Sequence, residues 1–374
     1  MPQIHVELAC PVHDSFRVQQ IAGLFDLSLA ERAVERFSVE VPELGDDWRI
    51  GMIVGPSGSG KSSVARRLFG SSFYETRDWP HDQAVIDGFG ERSIREITAA
   101  LVAVGFGSPP SWLKPYHVLS GGERFRADLA RALVHAEAAT GRSGGSTESN
   151  PALVVFDEFT SVVDRQVAQV CSAAVAKAIR SGTVGSRFVA VTCHHDVTEW
   201  LAPDWVLDMG TRAFSRRRLR RPAIELELHT CGPEAWSLFA RHHYLSTRLS
   251  PLARCFLATW RGAPAAFCAT LSLMGHRRRR RISRLVTLPD YQGIGIGGTM
   301  LHAVAALHHN DGSRVNITTS HPAILAHCRR APHWRAIGMR KTGVRHTGGR
   351  ERNYRGSVGR AVVSFEYVPL GSEL

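Results

Sequence analysis

Apolar positions along the chain fall in short runs that end on glycines or charged residues, separated by longer stretches with helical spacing. Trp48–Val54 is one such run. It leads into a glycine-rich turn, and Ser62–Phe69 continues with helical character, which predicts strand, loop, helix. A second run, Leu153–Phe156, ends in Asp157-Glu158, and a third, Phe188–Thr192, ends in Cys193-His194-His195. With helical segments at Arg124–Ala139 and Arg165–Arg180, the alternation predicts a mostly parallel sheet covered by helices. Residues 141–150, GRSGGSTESN, predict a surface loop.

The pattern changes after residue 211. Arginine dominates residues 212–222 up to Pro222, which predicts a basic linker. Beyond it, Ala223–His229 predicts a strand, Pro233–Arg241 a helix, and Leu257–Trp260 with Ala265–Leu271 a hairpin turning at Arg261-Gly262. Ile282–Leu288 predicts a strand, Gly298–His308 a helix and Val315–Thr319 another strand. The expected organisation is a first α/β domain over 1–211, the linker 212–222, and a smaller α/β or α+β domain over 223–374.

Length, 374 residues, allows each domain its own core. No stretch approaches the 18 or so apolar residues of a membrane helix, and the N-terminus lacks a basic-then-apolar signal pattern. The seven cysteines include no Cys-x-x-Cys pair, so the expected setting is a reducing cytoplasm. Charge sharpens the division. Residues 1–210 hold 19 Lys+Arg against 26 Asp+Glu, net −7; the remainder hold 27 against 8, net +19. A local excess of that size points to a polyanionic partner, nucleic acid first and DNA before RNA.

Gly55-Pro56-Ser57-Gly58-Ser59-Gly60-Lys61-Ser62 has the spacing of a Walker A phosphate loop. Glycines let backbone N–H groups converge on phosphates, Lys61 reaches the β/γ oxygens, and the Ser62 hydroxyl suits Mg²⁺; Gly55, Gly58, Gly60 and Ser63 complete the candidate ATP cradle. Leu119-Ser120-Gly121-Gly122-Glu123, followed by RFRADLARAL, resembles the signature motif of ABC-type ATPases. Asp157-Glu158 after its strand resembles Walker B, Ser161–Asp164 the D-loop, and His194-His195 the switch-histidine position. That resemblance implies Asp157 as a second Mg²⁺ group, Glu158 as the base that polarises water, and His194 or His195 at the γ-phosphate, with His194 slightly favoured. It also implies an ATP-dependent homodimer in which Ser120, Gly121 and Gly122 complete the other copy's site. Only 59 positions separate Lys61 from Ser120, so a reduced helical subdomain and a non-transport role are expected. Gln83 or Asp87 would stand for the Q-loop, and Phe37 is a candidate adenine platform.

In the basic half, Gln292-Gly293-Ile294-Gly295-Ile296-Gly297-Gly298 follows a strand and opens a helix. It resembles the coenzyme-binding motif of GNAT acyltransferases, which implies a GNAT fold, acetyl-CoA or another acyl-CoA as donor, and Gln292, Gly293, Gly295, Gly297 and Gly298 at its pyrophosphate. The whole chain resembles ABC-type ATPases fused to a GNAT-like acetyltransferase domain, known from prokaryotes and phages. The stretches carrying this are VLSGGERFRADLARAL, VVFDEFTSVVD, CHHDV, HHYLS, RLVTLPDYQGIGIG and TTSHP. More weakly, the C-terminal part is similar to Mom-type phage proteins that modify adenine in DNA. The expected function is an ATP-hydrolysing ABC ATPase joined to an N-acyltransferase acting on nucleic acid. Alternatives are an ATP-regulated protein or small-molecule acetyltransferase, and a DNA-binding ABC ATPase whose GNAT fold is not catalytic. Candidate acyl-transfer groups are His242, His243, Tyr244, Ser320 and His321, and three of them (His242, His243, His321) offer an alternative metal set. Arginines 277–281 are a candidate phosphate clamp beside the acceptor groove; Trp260, Trp334 and Tyr244 are candidate base-stacking platforms, with core packing the expected role of at least two of them.

Overall fold

The computed structural model describes residues 3–11, 13–28, 32–76, 78–139, 151–216, 219–243, 247–276, 278–341 and 361–369. The expected loop 141–150, Tyr244 and the side chain of Phe37 lie outside the described residues.

Strands β1 (Gln3–Pro11) and β2 (Arg32–Glu40) pair antiparallel across helix α1 (Phe16–Phe25). A five-stranded sheet follows, built from β3 (Ile50–Val54), β4 (Leu153–Phe156), β5 (Arg187–Thr192), β6 (Trp205–Asp208) and β7 (Ala213–Arg216) in the order β4-β5-β3-β6-β7. All its pairs are parallel except β6 with β7. Alternate side chains feed two cores. Ile50, Met52, Val54, Val154, Phe156, Phe188 and Ala190 face one, and Ile53, Val155, Val189 and Val191 face the other. Burial on both faces is why these strands read as continuous apolar runs. Helix α2 (Lys61–Phe69) covers one face. The other is covered by α3 (Ile94–Ala103), the short α4 (Pro109–Trp112), α5 (Gly121–Ala139), α6 (Arg165–Arg180) and the one-turn α7 (Thr198–Leu201). Ala213–Arg216, inside the expected linker, pair with β6 as the edge of this sheet.

The basic half forms a seven-stranded sheet of β8 (Glu227–Cys231), β9 (Arg254–Trp260), β10 (Ala263–Ser272), β11 (Arg279–Thr287), β12 (Arg314–Thr319), β13 (Trp334–Lys341) and β14 (Ala361–Tyr367), in the order β13-β14-β12-β11-β10-β9-β8. The expected helix over Pro233–Arg241 is two 3-10 turns flanking the one-turn α8 (Trp236–Phe239). Helix α9 (Ile296–Asn310) crosses from β11 to β12, and α10 (Pro322–Arg330) follows β12. The hairpin turns where expected, with Arg261 and Gly262 at φ 52° and 76°, the twist that a two-residue turn requires. β11 and β12 are parallel, and their pairing stops at Ile282↔Ile317, although β11 runs five residues further. A bulge at Ser283, where Ala269 faces Arg284 and Thr270 faces Ile282, bends β11 at that point. The two strands therefore part just before the second glycine loop.

The halves are packed together through α6. Its sequence, RQVAQVCSAAVAKAIR, is apolar or small on nearly every side, which marks a helix covered all round. Val167, Cys171, Val175 and Ile179 enter the first core, whereas Val170 and Ala173 join Trp200, Trp260, Tyr291 and Met300 in the core of the second sheet. Trp260 and Trp334 are buried there, the core role expected of at least two of the three aromatic candidates.

One buried group gives this core a pH dependence. His308 is fully buried, its Nε2 lies 2.9 Å from the Thr270 hydroxyl, and burial holds its pKa down to about 4. Between about pH 6.5 and 4 the unfolded chain binds a proton that the folded chain refuses, so stability falls as pH drops through that window. The melting temperature is expected to decline from pH 7 to pH 4, and His308→Gln is expected to flatten that decline. An unchanged slope in the variant would remove His308 from the account.

Candidate functional sites

The strand order places β5 between β3 and β4, so the C-terminal ends of three parallel strands bring Gly55, Asp157 and His194 to one edge. Gly60 caps α2 at φ 78°, a left-handed conformation that only glycine adopts freely, and no side chain caps the helix. Among the described residues the N–H groups of Gly58, Gly60, Lys61, Ser62 and Ser63 make no hydrogen bond. The first turn carries no acid, so the helix end is open to an anion. Lys61 Nζ donates to the Pro56 carbonyl at 2.6 Å.

Ser62 Oγ donates to Asp157 Oδ1 at 3.1 Å, which also accepts the Glu158 N–H at 2.9 Å. A hydroxyl and a carboxylate at that separation fit a hard divalent cation, and the free N–H groups fit a triphosphate. Glu158 and Thr160 sit at φ 50° and 69°, strained for residues with side chains, and Glu158 is exposed at the strand end. His194 Nδ1 lies 2.9 Å from an Arg165 guanidinium nitrogen and 3.3 Å from Thr160 Oγ1. Because Arg165 can only donate, Nδ1 accepts and Nε2 carries the proton. Burial, then the charge of Arg165, holds the His194 pKa below the ordinary imidazole value. Arg165 also grips Asp196 with two bonds, at 2.7 and 3.1 Å. His195 is exposed and opens a 3-10 turn.

The signature segment forms a capping box: Glu123 N donates to Ser120 Oγ, and Ser120 N donates to Glu123 Oε2. Ser120 and Gly121 are exposed, and Gly121 lies against the Val162 carbonyl of the expected D-loop. Gln83 and Asp87, the expected Q-loop alternatives, are both exposed, Gln83 just before the 3-10 turn Val85–Phe89 and Asp87 within it.

The second glycine loop repeats the first in outline. After β11 a 3-10 turn, Pro289–Tyr291, leads into Gln292–Gly298, and α9 opens on Gly295 at φ 108° with no side-chain cap and no acid in its first turn. Among the described residues the N–H groups of Gly293, Ile294, Gly295, Ile296, Gly297 and Gly298 make no hydrogen bond. The Gln292 side chain turns away from them. Its Nε2 donates to the Thr287 carbonyl at 2.9 Å, and its Oε1 accepts the Gly107 N–H at 2.7 Å, so it latches the loop to the first half of the chain. Gly293, at φ 88°, packs so closely that a Cβ there would stand 2.7 Å from Ala174 Cβ and 2.8 Å from Gly105 Cα. His321 Nε2 lies 3.1 Å from the Gly107 carbonyl, and Arg126 of α5, itself buried, reaches Asp290 at 3.3 Å.

These contacts change several expectations. His321 is committed to the domain interface, and His243 is buried with its ring 5.6 Å from that of Trp236. His242 Nε2 accepts from Arg241 at 3.0 Å. No three His, Cys, Asp or Glu side chains among the described residues form a metal-binding group, which corrects the alternative metal set of His242, His243 and His321. Arg279–Arg281 stand at the start of β11, at the other end of this nine-residue strand from the loop, so they do not adjoin it. Sequence pattern gave no sign of Arg165, Arg126, Lys177 or Gly107, because each acts across a long separation.

The Acetyltransferase (GNAT) family profile matches residues 220–327. No curated protein sequence matches the chain. Among solved structures, a dimeric bacterial ABC transporter cassette is similar over 50% of this chain and 93% of its own, at 16% identity and a TM-score of 0.36. An acetyltransferase of Bacillus subtilis in complex with CoA is similar over 40% of this chain and all of its own, at 12% identity and a TM-score of 0.30. An IAA acetyltransferase from Bacillus cereus shares 15% identity over 38% of this chain and 99% of its own, with a TM-score of 0.30. The chain thus joins a mostly parallel, helix-covered α/β sheet with a glycine loop to a second α/β half, within which residues 220–327 match the GNAT profile. Among the described residues no helix is long and apolar enough to cross a membrane.

Proposed function

We propose that the chain binds and hydrolyses ATP at the first loop and transfers an acyl group from acyl-CoA to an amine at the second, with nucleic acid as the acceptor. The observation that supports this best is the pair of glycine cradles, each with unbonded N–H groups at a helix start free of acid. At the first, Lys61 moves from the Pro56 carbonyl to the β/γ oxygens; Ser62 and Asp157 would hold Mg²⁺, which would supply charge neutralisation at the phosphates. Glu158 accepts the proton side of the attacking water, and His194 presents Nε2–H to the γ-phosphate. Ser120, Gly121 and Gly122, at the start of α5, serve the other copy's site in an ATP-dependent homodimer.

At the second loop, the N–H groups of Gly293–Gly298 take the diphosphate of acetyl-CoA or another acyl-CoA. β11 and β12 part after Ile282↔Ile317, which supports an extended, amide-bearing arm entering between them. The net +19 of residues 211–374 supports a nucleic-acid acceptor, DNA ahead of RNA. Thiol release from acetyl-CoA and phosphate release from ATP, each measured with DNA, with RNA and with neither, test the proposal. Stimulation of thiol release by DNA is expected. Equal rates in all three conditions would remove nucleic acid as the acceptor.

A further inference from the structure

Helix α6 runs between the two sites. It begins beside the ATP site, where Arg165 holds His194, and twelve residues later Lys177 reaches the second loop. Twelve residues of helix span about 18 Å. Lys177 Nζ lies 3.2 Å from the point where a Cβ on Gly295 would stand, so a cation of the ATPase half sits against the acyltransferase half's N–H cradle.

The surroundings of Lys177 are one-sided. Arg330 from the end of α10 and Arg221 from the connecting segment are its charged neighbours, and no acid offsets them. Among the described residues Lys177, Arg221 and Arg330 make no ion pair. The His327 ring covers Gly298, 2.6 Å from where a Cβ there would stand, and its Nε2 is buried without a hydrogen-bond partner. Burial and the charges of Lys177 and Arg330 depress its pKa. Burial, followed by Arg330 and Arg221, likewise depresses that of Lys177. Lys177, Arg221 and Arg330 all keep contact with solvent, and like charges gathered beside unbonded N–H groups favour an anion there.

We infer that the acyl-CoA site is composite: Lys177 of the ATPase half binds the diphosphate of the coenzyme that the Gly293–Gly298 amides cradle. This rests on the acyl-CoA reading of that loop. The latches at Gln292, His321 and Gly293 fix the two halves in the register that brings Lys177 to Gly295. The coenzyme thus bridges the two halves, and α6 ties its site to the D-loop and switch histidine. Lys177 is a binding residue here and takes no part in proton transfer.

The test is calorimetric titration of the intact chain with CoA and with dephospho-CoA, which keeps the diphosphate and lacks the 3′-phosphate. Lys177→Met keeps the apolar stem and removes the charge, and Lys177→Arg keeps the charge. The methionine variant is expected to bind both ligands about 10- to 100-fold more weakly, because a charge-assisted contact to phosphate is lost. The arginine variant is expected to stay within a few-fold of the natural chain. Fluorescent ATP-analogue binding reports whether each variant is folded, and a variant that loses it is replaced by Lys177→Gln. Equal affinities of natural and methionine chains for CoA would overturn the inference while leaving the acyl-CoA reading intact. A loss seen with CoA alone would move Lys177 to the 3′-phosphate and overturn the diphosphate assignment. No CoA binding by the natural chain would instead refute the acyl-CoA reading itself.

Discussion

Replacing Glu158 with glutamine is expected to lower ATP turnover by about 10²- to 10³-fold while ATP still binds. The carboxylate stands exposed at the end of β4, one residue past the Asp157 that bonds Ser62. Its amide replacement keeps the shape and the Glu158 N–H bond to Asp157, so the cradle survives and the step that activates water does not. The proposed dimer should then accumulate with ATP trapped between Lys61 of one copy and Ser120 of the other. Phosphate release, nucleotide retention and light scattering read the three effects separately. Turnover within about threefold of the natural chain would show that another group activates the water.

The second large effect belongs to the interface. Gly293→Val places a branched side chain at φ 88°, where its Cβ alone meets Ala174 Cβ and Gly105 Cα inside 3 Å. Backbone strain of about 1–3 kcal/mol and a further ~1–3 kcal/mol of overpacking are expected, enough to lower the melting temperature by several degrees. Gly312 supplies the control. Its φ is 75°, yet no atom lies within 4 Å of its Cβ position, so Gly312→Val carries strain without the clash. Acyl-CoA binding should fail in Gly293→Val and persist in Gly312→Val. If the two variants melt alike, the contact between α6 and the loop contributes nothing to stability.

What the sequence made legible was local. The phosphate loop, the Asp157-Glu158 strand end, the turn at Arg261-Gly262 and helix α6 all lie where spacing predicts, because each depends on residues within one or two turns of chain. Longer-range features were hidden. The segment after Pro233 has helical composition, but the backbone breaks it into single turns between 3-10 ends. Strands β13 and β14 gain their place by pairing with each other and with β12, not from strong alternation. The partner that sets His194 apart from His195 is Arg165, 29 residues earlier in the chain.

The interface is the clearest case. Gln292 bonds Gly107 across 185 positions and His321 reaches the same residue across 214, separations that no sequence window spans. One signal was present all the same. The run Cys171-Ser-Ala-Ala-Val-Ala-Lys-Ala has too little polar surface for a helix covering a single sheet. Taken that way, α6 announces a second partner, and the second partner is the core of the seven-stranded sheet.

In the proposed function one chain holds both a nucleotide and a coenzyme, at two cradles joined by α6. Equilibrium titration of the intact chain with acetyl-CoA, after saturation with a non-hydrolysable ATP analogue, tests it most directly. One mole of each ligand per mole of chain, bound together, is the expected outcome; saturation with the analogue alone and no heat from acetyl-CoA would contradict it.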